Sequence, residues 1–220
     1  MSARRVLSAI EESRVEGLDS ECVTYVNRLL SYKHPLKHRW TLYFCKQDKN
    51  KKWEDCMHKV DTFNTIEDFW ALFQHARPPS QLDHGSDYYL FKDGIKPMWE
   101  DPQNKNGGRW LVTLNMDQLR GERLDEAWIE LLMAIVGEQF GIDKEGEHIC
   151  GAVVNIRIKG SKPCHKISLW TRKAQDEAAV LKIGWILLTK LSADEIRYEV
   201  NEDIKHKQSS VVKPKYCLKK

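Results

Sequence analysis

Two tryptophans stand in polar surroundings that neither a strand nor a helix explains: Trp53 in KKWED and Trp99 in PMWEDP. Facing each other, two such indoles make a slot for a flat ring, and a cationic ring there gains about 1–2 kcal/mol from the indole faces when desolvated. The plainer alternative is that they plug an edge of the core. Glu100 follows Trp99 directly. A carboxylate accepts two parallel hydrogen bonds from a planar pair of N–H donors, which guanine offers through N1–H and its 2-amino group and adenine lacks. Cations complete the pattern. Arg109 opens a strand after the turn signal Asn106-Gly107-Gly108, while Arg157 and Lys159 share one strand face and Lys166 shares another with Trp170. These cations could converge on a short phosphate chain, the alternative being a solvated sheet face. Together the residues describe a site for a guanine nucleotide carrying several phosphates.

The elements that must hold these residues are legible from periodicity. RWTLYFCK, SDYYLFK, GRWLVTLN, GAVVNIRIKG and HKISLWTRK alternate as strands, with Ala152, Val154, Ile156 and Ile158 on one face of the fourth and Val153, Asn155, Arg157 and Lys159 on the other. FNTIEDFWALFQHA opens with a cap signal at Asn64 or Thr65 before a helical stripe at Ile66, Phe69, Trp70 and Phe73. ERLDEAWIELLMAIVGEQF and DEAAVLKIGWILLTKL read as two further helices. In the first of these Leu124, Trp128, Leu131 and Ile135 suit burial, which leaves Ile129 and Met133 for a crowded core or for a groove that takes a partner helix. Residues 1–32 read as a flexible leader, with one short helix supported by Val23, Val26, Leu29 and Leu30, and residues 201–220 as a basic tail.

Composition narrows the classes. The chain has 220 residues, 41% hydrophobic and 30% charged, enough for one large domain over residues 33–220 rather than two. A net charge of +3 is weak support for a general phosphate-tracking surface. Eight tryptophans say more, since a core can be filled without them. Six cysteines without a CxxC pair read as free, mostly buried thiols in the cytosol or nucleus, with no metal site and no cofactor. No apolar run approaches a membrane span, and the N-terminus lacks a signal-peptide stretch. A Nudix helix, alternating histidines and a P-loop are all absent from the sequence, so an enzyme acting on nucleotides or caps is the remote alternative.

HPLKHRW, DFWALF, LFKDGIKPMWED, NKNGGRW and CGAVVNIR, in this order, resemble the eukaryotic translation initiation factor 4E family of mRNA cap-binding proteins over roughly residues 34–200. The resemblance implies an α+β fold, a curved antiparallel sheet of about eight strands backed on its convex face by three long helices. It implies that Trp53 and Trp99 stack on the 7-methylguanine base, that Glu100 reads its edge, and that Trp170 contacts the N7-methyl group. Arg109, Arg157 and a lysine would bind the cap phosphates. The link between the Arg157 and Trp170 strands, GSKPCHK, is longer than in the family, so counting back from Trp170 gives Lys166 and counting forward from Arg157 gives Lys162. Lys166 is preferred because it shares a strand face with Trp170.

The resemblance further implies a dorsal groove at His34, Pro35, Leu36, Ile66, Trp70, Ile129, Glu130 and Met133. That groove would take a Tyr-x-x-x-x-Leu-hydrophobic helix from the 4G-type scaffold or from 4E-binding repressors. Ser210 aligns with the family's regulatory serine. The expected protein is a monomeric, cytoplasmic or also nuclear cap-binding factor. A cap-binding repressor of the same family is the near alternative, although that branch tends to replace the first stacking tryptophan, which is present here as Trp53.

Overall fold

The computed structural model describes residues 32–113, 122–141, 145–160, 162–205 and 213–220. The leader expected over 1–32, Tyr32 excepted, and Ser210 lie outside them. The described chain forms two compact units. The smaller comprises 32–36 and Asn64–Ala76, and the larger Lys37–Phe63 with the residues from Arg77 onward.

Among the described residues ten strands form an eight-stranded open sheet and a separate two-stranded hairpin, all of them in the larger unit except residues 35–36 and 64–65. They are β1 (Pro35–Lys46), β2 (Met57–Thr65), β3 (Ser86–Lys92), β4 (Gly108–Thr113), β5 (Ile149–Asn155), β6 (Ile158–Lys159), β7 (Lys162–Pro163), β8 (Lys166–Thr171), β9 (Glu195–Val200) and β10 (Tyr216–Lys219). The sheet order is β10-β9-β4-β8-β5-β3-β1-β2, with β6 and β7 pairing apart from it. The helices are α1 (Ile66–Phe73), α2 (Glu122–Val136), the short α3 (Glu145–His148), α4 (Glu177–Lys190) and α5 (Asn201–Lys205).

Strand alternation separates two faces. Across the sheet, Leu42, Leu90, Ala152, Leu169, Trp110 and Tyr198 stand in one register row and all are buried. Burying each large side chain of such a row contributes about 1.5–3 kcal/mol. Within the unit α2 packs on β5, and α4 on β9 and β10. The Trp110 indole donates to the Val180 carbonyl of α4 at 3.0 Å. Gly184 permits this approach, since a Cβ there would lie 2.4 Å from the Trp110 ring. The opposite face carries the rows Thr41, Phe91, Gly151, Trp170, Arg109, Glu199 and Cys45, Asp87, Asn155, Lys166.

Two sequence expectations are corrected and one strand is added. MHKVDTFNT, to which the sequence reading gave no strand, is the edge strand β2, and it escaped notice because most of its side chains are exposed and polar. GAVVNIRIKG is not one strand: β5 ends at Asn155, and Ile158–Lys159 turns into the hairpin with Lys162–Pro163, which leaves Ile158 47% exposed. The tail is not uniformly loose. Residues 201–205 are helical and Tyr216–Lys219 extends the sheet beside β9, with Leu218 buried and Lys219 paired to Glu195 at 2.9 Å.

The smaller unit is built on α1. Thr65 caps it, its hydroxyl accepting from the Asp68 backbone N–H and donating to the Asp68 carboxylate at 2.7 Å. His34 donates from its backbone N–H to Glu67 at 2.9 Å, and its ring Nδ1 lies 2.6 Å from the other Glu67 oxygen. That hydrogen bond from His34 is the leading reason the Glu67 carboxyl titrates low, at about 2. Ile66 and Trp70 remain 44% and 38% exposed.

Candidate functional site

The polar face of the larger unit's sheet holds a cavity of about 620 Å³. Trp53 reaches it from a one-turn 3-10 helix (Trp53–Cys56), Trp99 and Glu100 from the loop after β3, Trp170 from β8 and Arg109 from β4. Five of the eight residues expected to hold a nucleotide therefore line one space. Trp53 and Trp99 are half-buried and also pack on the apolar cluster of Tyr89, Phe91, Val153 and Trp170 beneath the cavity. Each of the two therefore packs on the core and lines the cavity at once.

Short-range polar bonds fix the loop that carries Trp99 and Glu100. Buried Asp101 accepts from the backbone N–H groups of Lys96 and Gln103, at 2.9 and 2.8 Å. Buried Asn104 donates through Nδ2 to the carbonyls of Lys96 and Met98, and its own carbonyl accepts from Asn201. These contacts hold the loop on the fold without using the side chains of Trp99 or Glu100. On the floor, Phe91 and Trp170 meet edge to face at 5.6 Å over Gly151, where a Cβ would lie 2.5 Å from the Phe91 ring. The Trp170 Nε1–H is buried without a hydrogen-bond acceptor among the described residues. Trp53 meets Tyr89 edge-on at 5.9 Å. The Tyr89 hydroxyl donates to Asp87, and burial pushes its pKa up.

Both arginines have carboxylate partners. Arg109 donates from Nε and Nη2 to Glu199, at 3.1 and 2.8 Å. Arg157 makes a two-pronged pair with fully buried Asp87, at 2.6 and 2.9 Å, and also donates to the Ile156 carbonyl. Each guanidinium keeps donors beyond those bonds, so it is oriented rather than consumed. Arg157 does not line the cavity. Lys166 is exposed and stands across from the cavity-lining Asn155, whereas Lys162 lies on the β6–β7 hairpin.

Several lining residues escaped the sequence reading: Glu54, Tyr89, Val153, Asn155 and Asn201. For Tyr89 and its neighbour Asp87 a signal was present, since alternation in SDYYLFK sets an aspartate on the same face as Tyr89 in an otherwise apolar strand. Asn201 is 102 residues from Trp99 in sequence, and no local pattern connects them. Burial also pushes the Cys45 and Cys150 thiols up to about 11, so they are protonated at neutral pH. Among the described residues no three His, Cys, Asp or Glu side chains are grouped to hold a metal, and no helix is long and apolar enough to cross a membrane.

The residues expected at the partner surface fall in both units. His34, Pro35, Leu36, Ile66 and Trp70 belong to the smaller one. Ile129, Glu130 and Met133, half-buried on α2, belong to the larger.

An open antiparallel sheet with helices on its apolar face, and with an aromatic cavity beside oriented cations on the other, defines a ligand-binding α+β module. Residues 35–216 match the family model of eukaryotic initiation factor 4E, and the chain belongs to that family. Among its relatives, eukaryotic translation initiation factor 4E-3 of Caenorhabditis elegans is 53% identical over 191 residues, which cover 84% of this chain and 74% of the relative. A solved complex of C. elegans eIF4E-3 with the 4E-binding protein Mextli and a cap analog is similar at TM-score 0.74 and 49% identity, covering 85% of this chain and 100% of that one. Ascaris suum eIF4E-3, solved with an m7G cap and with an m2,2,7G cap, is similar at TM-score 0.75 and 50% identity, covering 85% of this chain and 98% and 99% of those.

Proposed function

We propose that this protein binds the 7-methylguanosine cap of mRNA in the cavity of the larger unit and hands capped message to the translation initiation machinery. The observation that carries the reading is a single cavity lined by two half-buried loop tryptophans, with Glu54 and Glu100 beside them and Arg109 on the adjoining strand. Methylation at N7 gives the base a positive charge, which the indole faces of Trp53 and Trp99 attract by about 1–2 kcal/mol. The carboxylates add to that preference. Glu100 accepts from N1–H and the 2-amino group, and Trp170 contacts the methyl group from the floor. Arg109 and Arg157, held in place by Glu199 and Asp87, turn their remaining N–H donors to the phosphates. Lys166 is the third phosphate contact, favoured over Lys162 by its place opposite Asn155.

The protein acts by binding, not by chemistry on the cap, and it works in the cytoplasm. Ile66 and Trp70 on α1 of the smaller unit are contacts for a Tyr-x-x-x-x-Leu-hydrophobic helix of a 4G-type scaffold or a 4E-binding repressor, and Ile129, Glu130 and Met133 on α2 of the larger unit are, taken by themselves, contacts for such a partner. Its relatives' name as initiation factors favours that role over the repressor branch.

Titration of tryptophan fluorescence with 7-methyl-GTP and with GTP tests the cap reading. A preference for the methylated ligand of at least tenfold, about 1.4 kcal/mol, supports it, and equal weak responses overturn it. Recovering the ligand unchanged tests the absence of catalysis. A labelled motif peptide should lose binding to Trp70→Ala, and undiminished binding would remove α1 from the partner surface.

A further inference from the structure

The turn that leads into β3 carries chemistry the cavity does not use. Arg77-Pro78-Pro79-Ser80 places an arginine three residues before a serine. Among the described residues no other serine or threonine has an arginine at that distance; Ser8 and Ser31 share the spacing and lie outside them. A protein kinase with an acidic substrate groove holds such an arginine by charge-assisted hydrogen bonds while it acts on the hydroxyl. Arg77 and Ser80 are both exposed. Buried Pro79 opens a one-turn 3-10 helix (Pro79–Gln81), and the Arg77 carbonyl accepts from the Tyr88 hydroxyl at 3.1 Å.

Ser80 is tied to one side chain. Its backbone N–H donates to one oxygen of Asp125 at 2.8 Å, and its hydroxyl donates to the other at 2.5 Å. Asp125 sits in the first turn of α2, against which the Pro79–Gln81 turn packs, and both belong to the larger unit. A phosphoserine cannot keep this tie. Its Oγ bears no hydrogen, so the hydroxyl's bond is lost, and a group of about −1.5 to −2 charge at pH 7 is set against a carboxylate. A helix N-terminus favours anions, but the first turn of α2 already holds Glu122 and Asp125. The neighbouring cation on α2, Arg123, lines a different cavity with Glu126 and Lys190. Arg77 is exposed, so any pair it makes with the phosphate is screened by water.

We propose that Ser80 is a phosphorylation site for kinases that read an arginine three residues upstream, and that its phosphate releases the Pro79–Gln81 turn from the head of α2. ATP is the donor. The Ser80 Oγ forms a bond to Pγ, the bond from Pγ to the β–γ bridging oxygen breaks with its electron pair leaving on ADP, and the hydroxyl proton passes to the kinase's base. Leu124 and Trp128 stay buried and keep α2 on its core, so the change is confined to the first turns. Ile129 lies one turn beyond Asp125 and, with Glu130, belongs to the partner surface. That consequence rests on the partner reading, whereas the modification does not.

The full chain carrying Ser8→Ala and Ser31→Ala should be incubated with ATP, magnesium and a purified arginine-directed serine kinase, and the product mapped by mass spectrometry. Phosphate is expected at Ser80. Arg77→Ala should slow its incorporation about tenfold or more, the loss of one charge-assisted contact, and Asp125→Ala should speed it by freeing the hydroxyl. No incorporation at Ser80, or incorporation indifferent to Arg77, overturns the site. Hydrogen exchange at the Ser80 amide should rise about tenfold on phosphorylation as its bond to Asp125 opens, and unchanged protection overturns the release. A labelled Tyr-x-x-x-x-Leu-hydrophobic peptide should bind the phosphorylated chain about three- to tenfold more weakly, with 7-methyl-GTP binding held within about twofold. Asp125→Ala, which lacks the tie from the start, should lose no further peptide affinity when phosphorylated. Equal peptide binding by the two forms of the wild-type Asp125 chain overturns the coupling to α2. If the unmodified chain binds no such peptide, the partner reading falls alone, and incorporation at Ser80 with faster amide exchange still supports the site.

Discussion

Replacing Asp87 by Asn isolates the buried pair that orients Arg157. Asp87 is fully buried and receives both Arg157 Nη groups, at 2.6 and 2.9 Å, and the Tyr89 hydroxyl at 3.1 Å. With charge centres about 4 Å apart, an effective dielectric near 20 gives an attraction of about 4 kcal/mol. Asn keeps the volume and one acceptor but presents an amide where Arg157 needs an oxygen. Removing one partner of a buried pair costs about 3–5 kcal/mol. The Arg157 side chain is 23% exposed, so water recovers part of that loss. The expected destabilisation is therefore about 2–4 kcal/mol, a large share of the 5–15 kcal/mol typical of a domain. Equilibrium urea unfolding followed by tryptophan fluorescence should show a midpoint lower by about 1–2 M, taking a slope near 2 kcal/mol/M. The double variant Asp87→Asn with Arg157→Met should be markedly more stable than the sum of the two single losses, because it buries no unpaired charge. An Asp87→Asn loss below about 0.5 kcal/mol, or strict additivity in the cycle, would refute the argument that this pair holds Arg157 in place.

Glu100→Ala should weaken 7-methyl-GTP binding by about 10- to 100-fold, since hydrogen bonds to a charged group contribute roughly 1.5–3 kcal/mol, and an unchanged circular dichroism spectrum would separate this loss from misfolding. A variant that bound as tightly as wild type would place base reading elsewhere. Gly184→Ala drives a Cβ to 2.4 Å from the Trp110 ring and should lower stability by about 1–3 kcal/mol, measured by thermal unfolding. Acidification should destabilise the fold in two windows. Burial, and then the charge of Arg157, hold the His165 imidazole below its ordinary 6.5, and burial followed by Lys92 does the same for His38. Their neutral forms favour folding, so that contribution is present above pH 6.5 and is lost as the pH falls through the lowered folded values. Glu67, held near 2 by His34, gives its contribution above its ordinary 4.5 and loses it only toward pH 2. Urea midpoints at stepped pH should therefore fall below neutrality, and His165→Gln should flatten the first step.

Local pattern was enough for much of this protein. Period-two alternation in β1, β3, β4 and β8 separates a core row from a ligand row because successive strand side chains point to opposite faces. The Thr65 cap and the apolar stripe of α1 were equally local. The two loop tryptophans and Glu100 stood out because nothing nearby in the sequence could bury them. What only the tertiary structure decided is non-local. Arg157 reads as a free cation until β3 brings Asp87, 70 residues earlier, into a two-pronged pair with it. β2 became legible only as an edge beside β1, its side chains being mostly exposed, and β10 only once β9 offered Tyr198 and Arg197 as register partners. The hairpin after Arg157 broke an alternation that the sequence continues to Lys159, because backbone bonds to His165 and His84 compete there with the sheet. Side-chain periodicity is written one strand at a time, whereas pairing, ion-pair choice and the convergence of loops on one cavity depend on which distant strands become neighbours.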